Sequence, residues 1–145
     1  MKKIFGMFLF TFFALSASIT FAMEQIPYQF VSIEEYLATP EKFQVVDVRS
    51  VNSRTNNGKE VAGEIWINPH KKKAIDDFVS TQDKNITYLI YCSCVDDGYS
   101  IRAAQILYRN DFKNVFVLKD SSECIKNGKL PMVEIDKNLS AKNFS

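Results

Sequence analysis

Apolar and polar residues alternate along this chain in blocks that read as short strands followed by amphipathic helices. Tyr28 to Val31 is a strand candidate, and Ser32-Ile33-Glu34-Glu35 has the spacing of a capping box opening a helix to Leu37 or Ala38. Pro40 helps to stop that helix. Phe43 to Val48 is a compact apolar run suited to a strand buried on both faces. Ser50 to Lys59, rich in Asn, Ser and Arg, reads as a loop, and Ile65-Trp66-Ile67 as a second short strand closed by Asn68-Pro69. From His70 the spacing turns helical: Ala74, Ile75, Phe78 and Val79 share one face, while Lys71, Lys72, Lys73, Asp76 and Asp77 stay in water. Ile86 to Cys92 predicts a strand, Ser100 to about Asn110 a helix with Ile101, Ala104, Leu107 and Tyr108 on one side, and Val115 to Leu118 the last strand. A short helix over Glu123 to Asn127 ends at Gly128, with Pro131 beyond. Strands alternating with helices imply crossover connections, hence an α/β fold with a mostly parallel sheet of about five strands and helices on both faces.

The first 22 residues stand apart. Lys2 and Lys3 precede an apolar run from Ile4 to Leu15, and Thr20-Phe21-Ala22 offers small residues at the spacing a signal peptidase reads. The run is short of the ~20 residues that span hydrocarbon, so the expectation is a signal peptide over 1–22 cleaved after Ala22. A single domain then covers 23–135 and a loose polar tail 136–145, in a periplasmic or secreted protein with no stable membrane association. Cleavage removes two lysines and no acid, taking the formal charge from +1 to −1. A near-neutral domain carries no electrostatic argument for nucleic acid or a membrane surface.

Three cysteines, Cys92, Cys94 and Cys124, leave one thiol over in a compartment that permits disulfides. Two of them fall where the Ile86 to Cys92 strand gives way to the next helix. A thiol there meets unpaired backbone N–H groups and the positive end of a helix dipole, which favour a thiolate. In open α/β sheets the carboxyl end of a central strand is also where the reactive loop lies.

The order and spacing of several segments resemble the rhodanese-like (sulfurtransferase) superfamily. Val45-Val46-Asp47-Val48-Arg49 looks like the family's strand ending in Asp-x-Arg, and Gly63-Glu64-Ile65 sits where the family has Gly-His-Ile. Tyr91-Cys92 resembles the strand end that delivers the active-site cysteine. Phe112 to Leu118 is similar to the link into the last strand, and Gly128-Lys129-Leu130-Pro131 to the Gly-Leu-Pro close. The resemblance implies a rhodanese-like sheet and a cysteine that carries sulfane sulfur as a persulfide, with no cofactor and no metal. Its partners would be a small sulfur donor or a thiol acceptor protein. It also implies a loop of about six residues whose N–H groups, with a late arginine, hold an anionic donor; here Ser93, Val95, Asp96, Asp97, Gly98, Tyr99 and Ser100 supply the loop. Counting back from Ser100 makes Cys94 the nucleophile, and counting forward from the strand makes it Cys92. The dependence of the amide cradle on loop size favours Cys94.

The departures bear on activity. Tyr99 stands where the resemblance places the arginine, Glu64 replaces the histidine, and Lys119-Asp120-Ser121 replaces a glycine pair. Asp96 and Asp97 would raise a thiol's pKa and repel a thiosulfate-like anion, although acids before a helix also act as caps, and capping carries the greater weight. Asp47 and Arg49 are expected to form a structural salt bridge, and Arg102 to pair with an aspartate rather than swing into the pocket. His70 is expected on the surface outside the thiol loop, and Cys124 in the core, with a bridge to Cys92 or Cys94 as the other possibility. Besides sulfur transfer, the chain admits a dithiol that handles redox or a thiophilic metal through Cys92 and Cys94, and a non-catalytic binding module, which the missing arginine favours. A phosphatase fits poorly, because the loop lacks an arginine and carries two carboxylates.

Overall fold

In the computed structural model of the chain, residues 28–136 are described. The expected signal segment 1–22 and the tail beyond Asp136 lie outside them. Along the described chain run β1 (Gln29–Val31), α1 (Ile33–Ala38), β2 (Gln44–Asp47), α2 (Val51–Asn57), β3 (Lys59–Glu60), β4 (Ile65–Trp66) and α3 (Lys72–Thr81). They are followed by β5 (Thr87–Tyr91), α4 (Gly98–Arg109), β6 (Asn114–Leu118), α5 (Ser121–Lys126) and β7 (Val133–Glu134). Five strands form one sheet in the order β1-β6-β5-β2-β4, every neighbouring pair parallel. A small antiparallel ladder joins β3 to β7.

The pleat of β5 divides the core. Tyr88 and Ile90 face Phe78 of α3 and Ala103, Ala104 and Leu107 of α4, whereas Leu89 and Tyr91 face Ile33 and Tyr36 of α1 and Cys124 of α5. Both faces of the central strand are therefore dry, which is why its sequence is a continuous apolar run instead of an alternating one. Burying a side chain such as Ile90 or Leu89 contributes about 1.5–3 kcal/mol. Cys92 continues the Tyr88–Ile90 phase and belongs to the α3–α4 core.

Local chemistry accounts for the helix starts. Ser32 and Glu35 close the capping box, Glu35 N–H donating to Ser32 Oγ at 3.1 Å and Ser32 N–H to Glu35 Oε2 at 2.8 Å. The lysine-rich face of α3 is exposed, with Lys72–Asp76 and Lys73–Asp77 pairs one turn apart. Three expectations are corrected. The last helix, α5, begins at Ser121, two residues before the expected Glu123. The stretch Ser50 to Lys59 is not a loop: Ser50 caps α2 by accepting from Ser53 N–H at 3.2 Å, and Gly58, at φ 68°, ends it in the left-handed region. The helix after the thiol loop begins at Gly98, two residues before the expected Ser100.

Candidate functional site

The thiol loop leaves the carboxyl end of β5, between β6 and β2. Tyr91 C=O accepts from Val48 N–H at 3.0 Å. Ser121 Oγ then holds Cys92 from the far side, accepting its N–H at 3.3 Å and lying 2.8 Å from its carbonyl oxygen. The same hydroxyl lies 2.6 Å from Asp97 Oδ1, so its one proton is shared between those two acceptors.

Asp97 departs from its expected part. It occupies the cap position of α4 in left-handed backbone, φ 53°, and its side chain makes no capping bond there. Its buried carboxylate instead reaches α5, accepting from Asp120 N–H at 2.8 Å and Ser121 N–H at 3.2 Å. Asp97 thus satisfies the start of α5, 24 residues on, and pins the thiol loop to it. Asp96 is exposed and accepts from Gly98 N–H at 3.1 Å, a local turn bond.

The two loop thiols differ in access. Cys92 is completely buried, and Cys94 is partly exposed. Cys94 N–H points at Cys92 Sγ at 3.4 Å, and the Cys94 thiol is also in hydrogen-bond contact with Cys92. Burial pushes the Cys94 thiol up to about 12; the neighbouring Cys92 thiol and Asp96 act in the same direction, and the backbone N–H of Tyr99 acts against them. The helix-mouth effect expected from the sequence is present as that Tyr99 N–H, but desolvation outweighs it. Val95 projects into water at the loop tip, 86% exposed, and Ser93 meets Ser53 of α2 hydroxyl to hydroxyl. The Ser100 hydroxyl is buried in the first turn of α4 with no hydrogen-bond partner among the described residues. Cys124 lies on the opposite face of the sheet, where burial raises its thiol pKa, and all three thiols are free. Cys92 and Cys124 thus pack into cores on opposite faces of the sheet.

Tyr99 packs edge-on against His70, ring centroids 5.4 Å apart, with its hydroxyl 3.4 Å from His70 Nε2. His70 is exposed, as expected, but it touches the loop through this contact. The expectation that Arg102 pairs with an aspartate fails: among the described residues Arg102 forms no salt bridge, and it lines a cavity of about 460 Å³ beside Tyr99. Among the same residues, no group of three or more His, Cys, Asp or Glu side chains could hold a metal ion, and no helix is long and apolar enough to cross a membrane.

Behind the loop is a buried charge cluster. Asp47 Oδ1 accepts from Arg49 N–H at 2.8 Å, and Oδ2 pairs with Arg49 Nη2 at 2.8 Å and Arg54 Nε at 3.0 Å. Arg49 also donates to Lys59 C=O at 2.7 Å and Asn57 Oδ1 at 3.1 Å, and lies over the Tyr91 ring. This is the structural role expected of the pair. Desolvation would lower the Arg49 pKa, but the Asp47 hydrogen bonds and charge overcome it and raise the value. Arg54, unnoticed in the sequence because its segment read as loop, joins Asp47 to Glu60 and to Glu64, whose Oε1 lies 3.2 Å away. Glu64 Oε2 accepts from Val61 N–H at 2.9 Å and from Tyr91 O–H at 2.6 Å. Burial raises Glu64 to about 7, with the Asp47 charge adding to it.

No protein-family model matches the chain, and no curated protein does. Solved structures do. The Alr3790 protein from Anabaena sp. is 20% identical with a TM-score of 0.62, the match covering 77% of this chain and 87% of that one. The rhodanese-like domain of Alr3790, solved in solution, is 20% identical with a TM-score of 0.59 over 75% and 80% of the two chains. A rhodanese-related protein from Thermoplasma volcanium is 18% identical with a TM-score of 0.59 over 73% and 98%. With its five-stranded parallel sheet, helices on both faces and a cysteine loop at the carboxyl end of the central strand, the chain has the rhodanese-like fold.

Proposed function

We propose that this protein is a periplasmic or secreted sulfane-sulfur carrier or sulfurtransferase that holds sulfur as a persulfide on Cys94. The observation that carries the reading is the difference in access between the two loop thiols: Cys94 is partly exposed at the mouth of α4 and faces Tyr99 N–H, whereas Cys92 is sealed in the core. In the transfer, the Cys94 thiol loses its proton to solvent and the thiolate attacks the outer sulfur of a donor. A Cys94 S–S bond forms, and the donor's bond to that sulfur breaks with the electron pair leaving on the donor. A thiolate acceptor then attacks the outer sulfur and Cys94 departs as thiolate. The rest of the loop, Ser93, Val95, Asp96, Asp97, Gly98, Tyr99 and Ser100, frames the sulfur, while Asp47 and Arg49 support the loop from behind.

Because Tyr99 stands in place of the arginine, a doubly charged inorganic donor is a poor fit, and a polysulfide or a thiol-bound donor fits better. A dithiol redox function is the second reading, favoured by the contact between the Cys94 and Cys92 thiols. Intact mass after incubation with polysulfide separates the two. Sulfur carriage adds about 32 Da per sulfur atom, retained in Cys92→Ser and lost in Cys94→Ser. A loss of about 2 Da with no adduct, abolished by either substitution, supports the disulfide instead.

A further inference from the structure

The cavity beside Tyr99 has a composition that the thiol chemistry does not use. It opens between α3 and α4 over the carboxyl ends of β2 and β4, with Val48, Ile67, Ile75 and Ile106 as apolar lining. Its volume of about 460 Å³ falls within the ~300–1,000 Å³ of small-organic-ligand sites. The polar groups around it are unevenly balanced. Lys72 and Asp76 both line it, but they pair with each other at 2.6 Å and cancel. Arg102, which also lines it, forms no ion pair among the described residues and leaves one uncompensated positive charge. A guanidinium beside an apolar wall suits a ligand with an anionic head and an apolar body, since the head gains a charge-assisted, bidentate partner and the body leaves water. An inorganic oxyanion would leave the apolar wall unfilled.

We propose that this cleft binds a small amphipathic organic anion, a carboxylate or sulfonate on a short apolar chain or ring, with its head on Arg102 and its body against Val48, Ile67, Ile75 and Ile106. Tyr99 joins this site to the thiol loop: its ring lines the cleft and its backbone N–H faces Cys94. A bound anion therefore lies next to the loop, and its binding is independent of any persulfide on Cys94.

The test is a titration of the purified isotope-labelled protein with hexanoate, hexanamide and inorganic sulfate, followed by amide chemical shifts. Saturable shifts with hexanoate are expected at His70, Ile75, Tyr99 and Ile106. Binding should be about tenfold weaker for hexanamide and for hexanoate in the Arg102→Gln variant, the loss expected of one charge-assisted contact. Sulfate should give no saturation at the apolar residues. Equal binding of hexanamide and hexanoate, an unchanged affinity in Arg102→Gln, shifts elsewhere in the fold, or no saturation by hexanoate would each overturn the proposal. The titration detects no sulfur chemistry, so a failure of sulfur transfer at Cys94 leaves its result intact.

Discussion

Asp96 and Asp97 are adjacent in the chain, yet one is exposed and bonded within its own turn, and the other is buried and accepts from the start of a second helix. Replacing Asp97 by Ala strands the Asp120 and Ser121 N–H groups and places a Cβ-bearing residue without a polar side chain at φ 53°. Destabilisation of about 2–3 kcal/mol is expected, measured as a lowered urea midpoint. Asp97→Asn, which tolerates the left-handed backbone and keeps one acceptor, should lose less. At Cys94 the sign of the pKa shift sets the pH profile. A thiol pushed up to about 12 carries less thiolate at every pH below that than an ordinary cysteine. Alkylation by iodoacetamide should therefore keep rising about tenfold per pH unit to pH ~10, where a free thiol has already levelled off. A plateau near pH 8 would show that the loop does not desolvate Cys94.

At the scale of elements, α2 shows how a helix hides in a polar sequence. Val51 to Asn57 has no amphipathic stripe, and only its ends carry a signal: Ser50 at the start and Gly58 after the last turn. Gly58 N–H closes α2 on Arg54 C=O at 2.9 Å, and its carbonyl accepts from Ile135 N–H at 2.9 Å, so one residue ends the helix and anchors the strand β7. A Cβ at Gly58 would meet Glu134 Oε2 at 3.8 Å, an ordinary contact, which leaves the left-handed backbone as the cost. Gly58→Ala should lower stability by about 1 kcal/mol in denaturant unfolding. The two-residue difference at the start of α4 has a similar origin. Asp97, Gly98 and Tyr99 are weak helix formers or turn residues by composition, and the chain enters the helix early because Asp97 C=O accepts Ile101 N–H at 2.9 Å while its side chain is held by α5.

Across the whole molecule, the buried cluster behind the loop sets a pH dependence of stability. Asp47, Glu60 and Glu64 surround Arg49 and Arg54, three carboxylates against two guanidiniums. One surplus carboxylate is relieved when Glu64 holds its proton, in agreement with its rise to about 7. Since the folded value lies above the unfolded one, the folded state binds the proton more tightly. The associated stability is fully present below the unfolded pKa of ~4.3 and is lost as pH rises through about 7. Thermal unfolding should therefore show stability falling by on the order of 2 kcal/mol between pH 5 and pH 8. Glu64→Gln should flatten that profile; a slope that survives the substitution would place the proton on another group.

Local pattern in the chain sufficed for the parallel α/β sheet, for the capping box at Ser32 and for the placement of Cys92 and Cys94 at the end of a central strand, because each is fixed by periodicity or by residues a few positions apart, while the Asp47–Arg49 pair was legible through the resemblance to the rhodanese-like family. Even the access of the loop thiols is partly written there, since Cys92 keeps the phase of Tyr88 and Ile90 and so points into the core. The remaining features needed the tertiary structure. Asp97 reaching α5, Glu64 joined to Arg54 and Tyr91, Tyr99 against His70, and the cleft that Arg102 lines all bring together groups ten or more residues apart, or gain their chemistry from burial. Desolvation and long-range pairing depend on what lies across the fold. That is why the sequence led to the expectation of an activated helix-mouth thiol, whereas burial in the folded chain raises the Cys94 pKa.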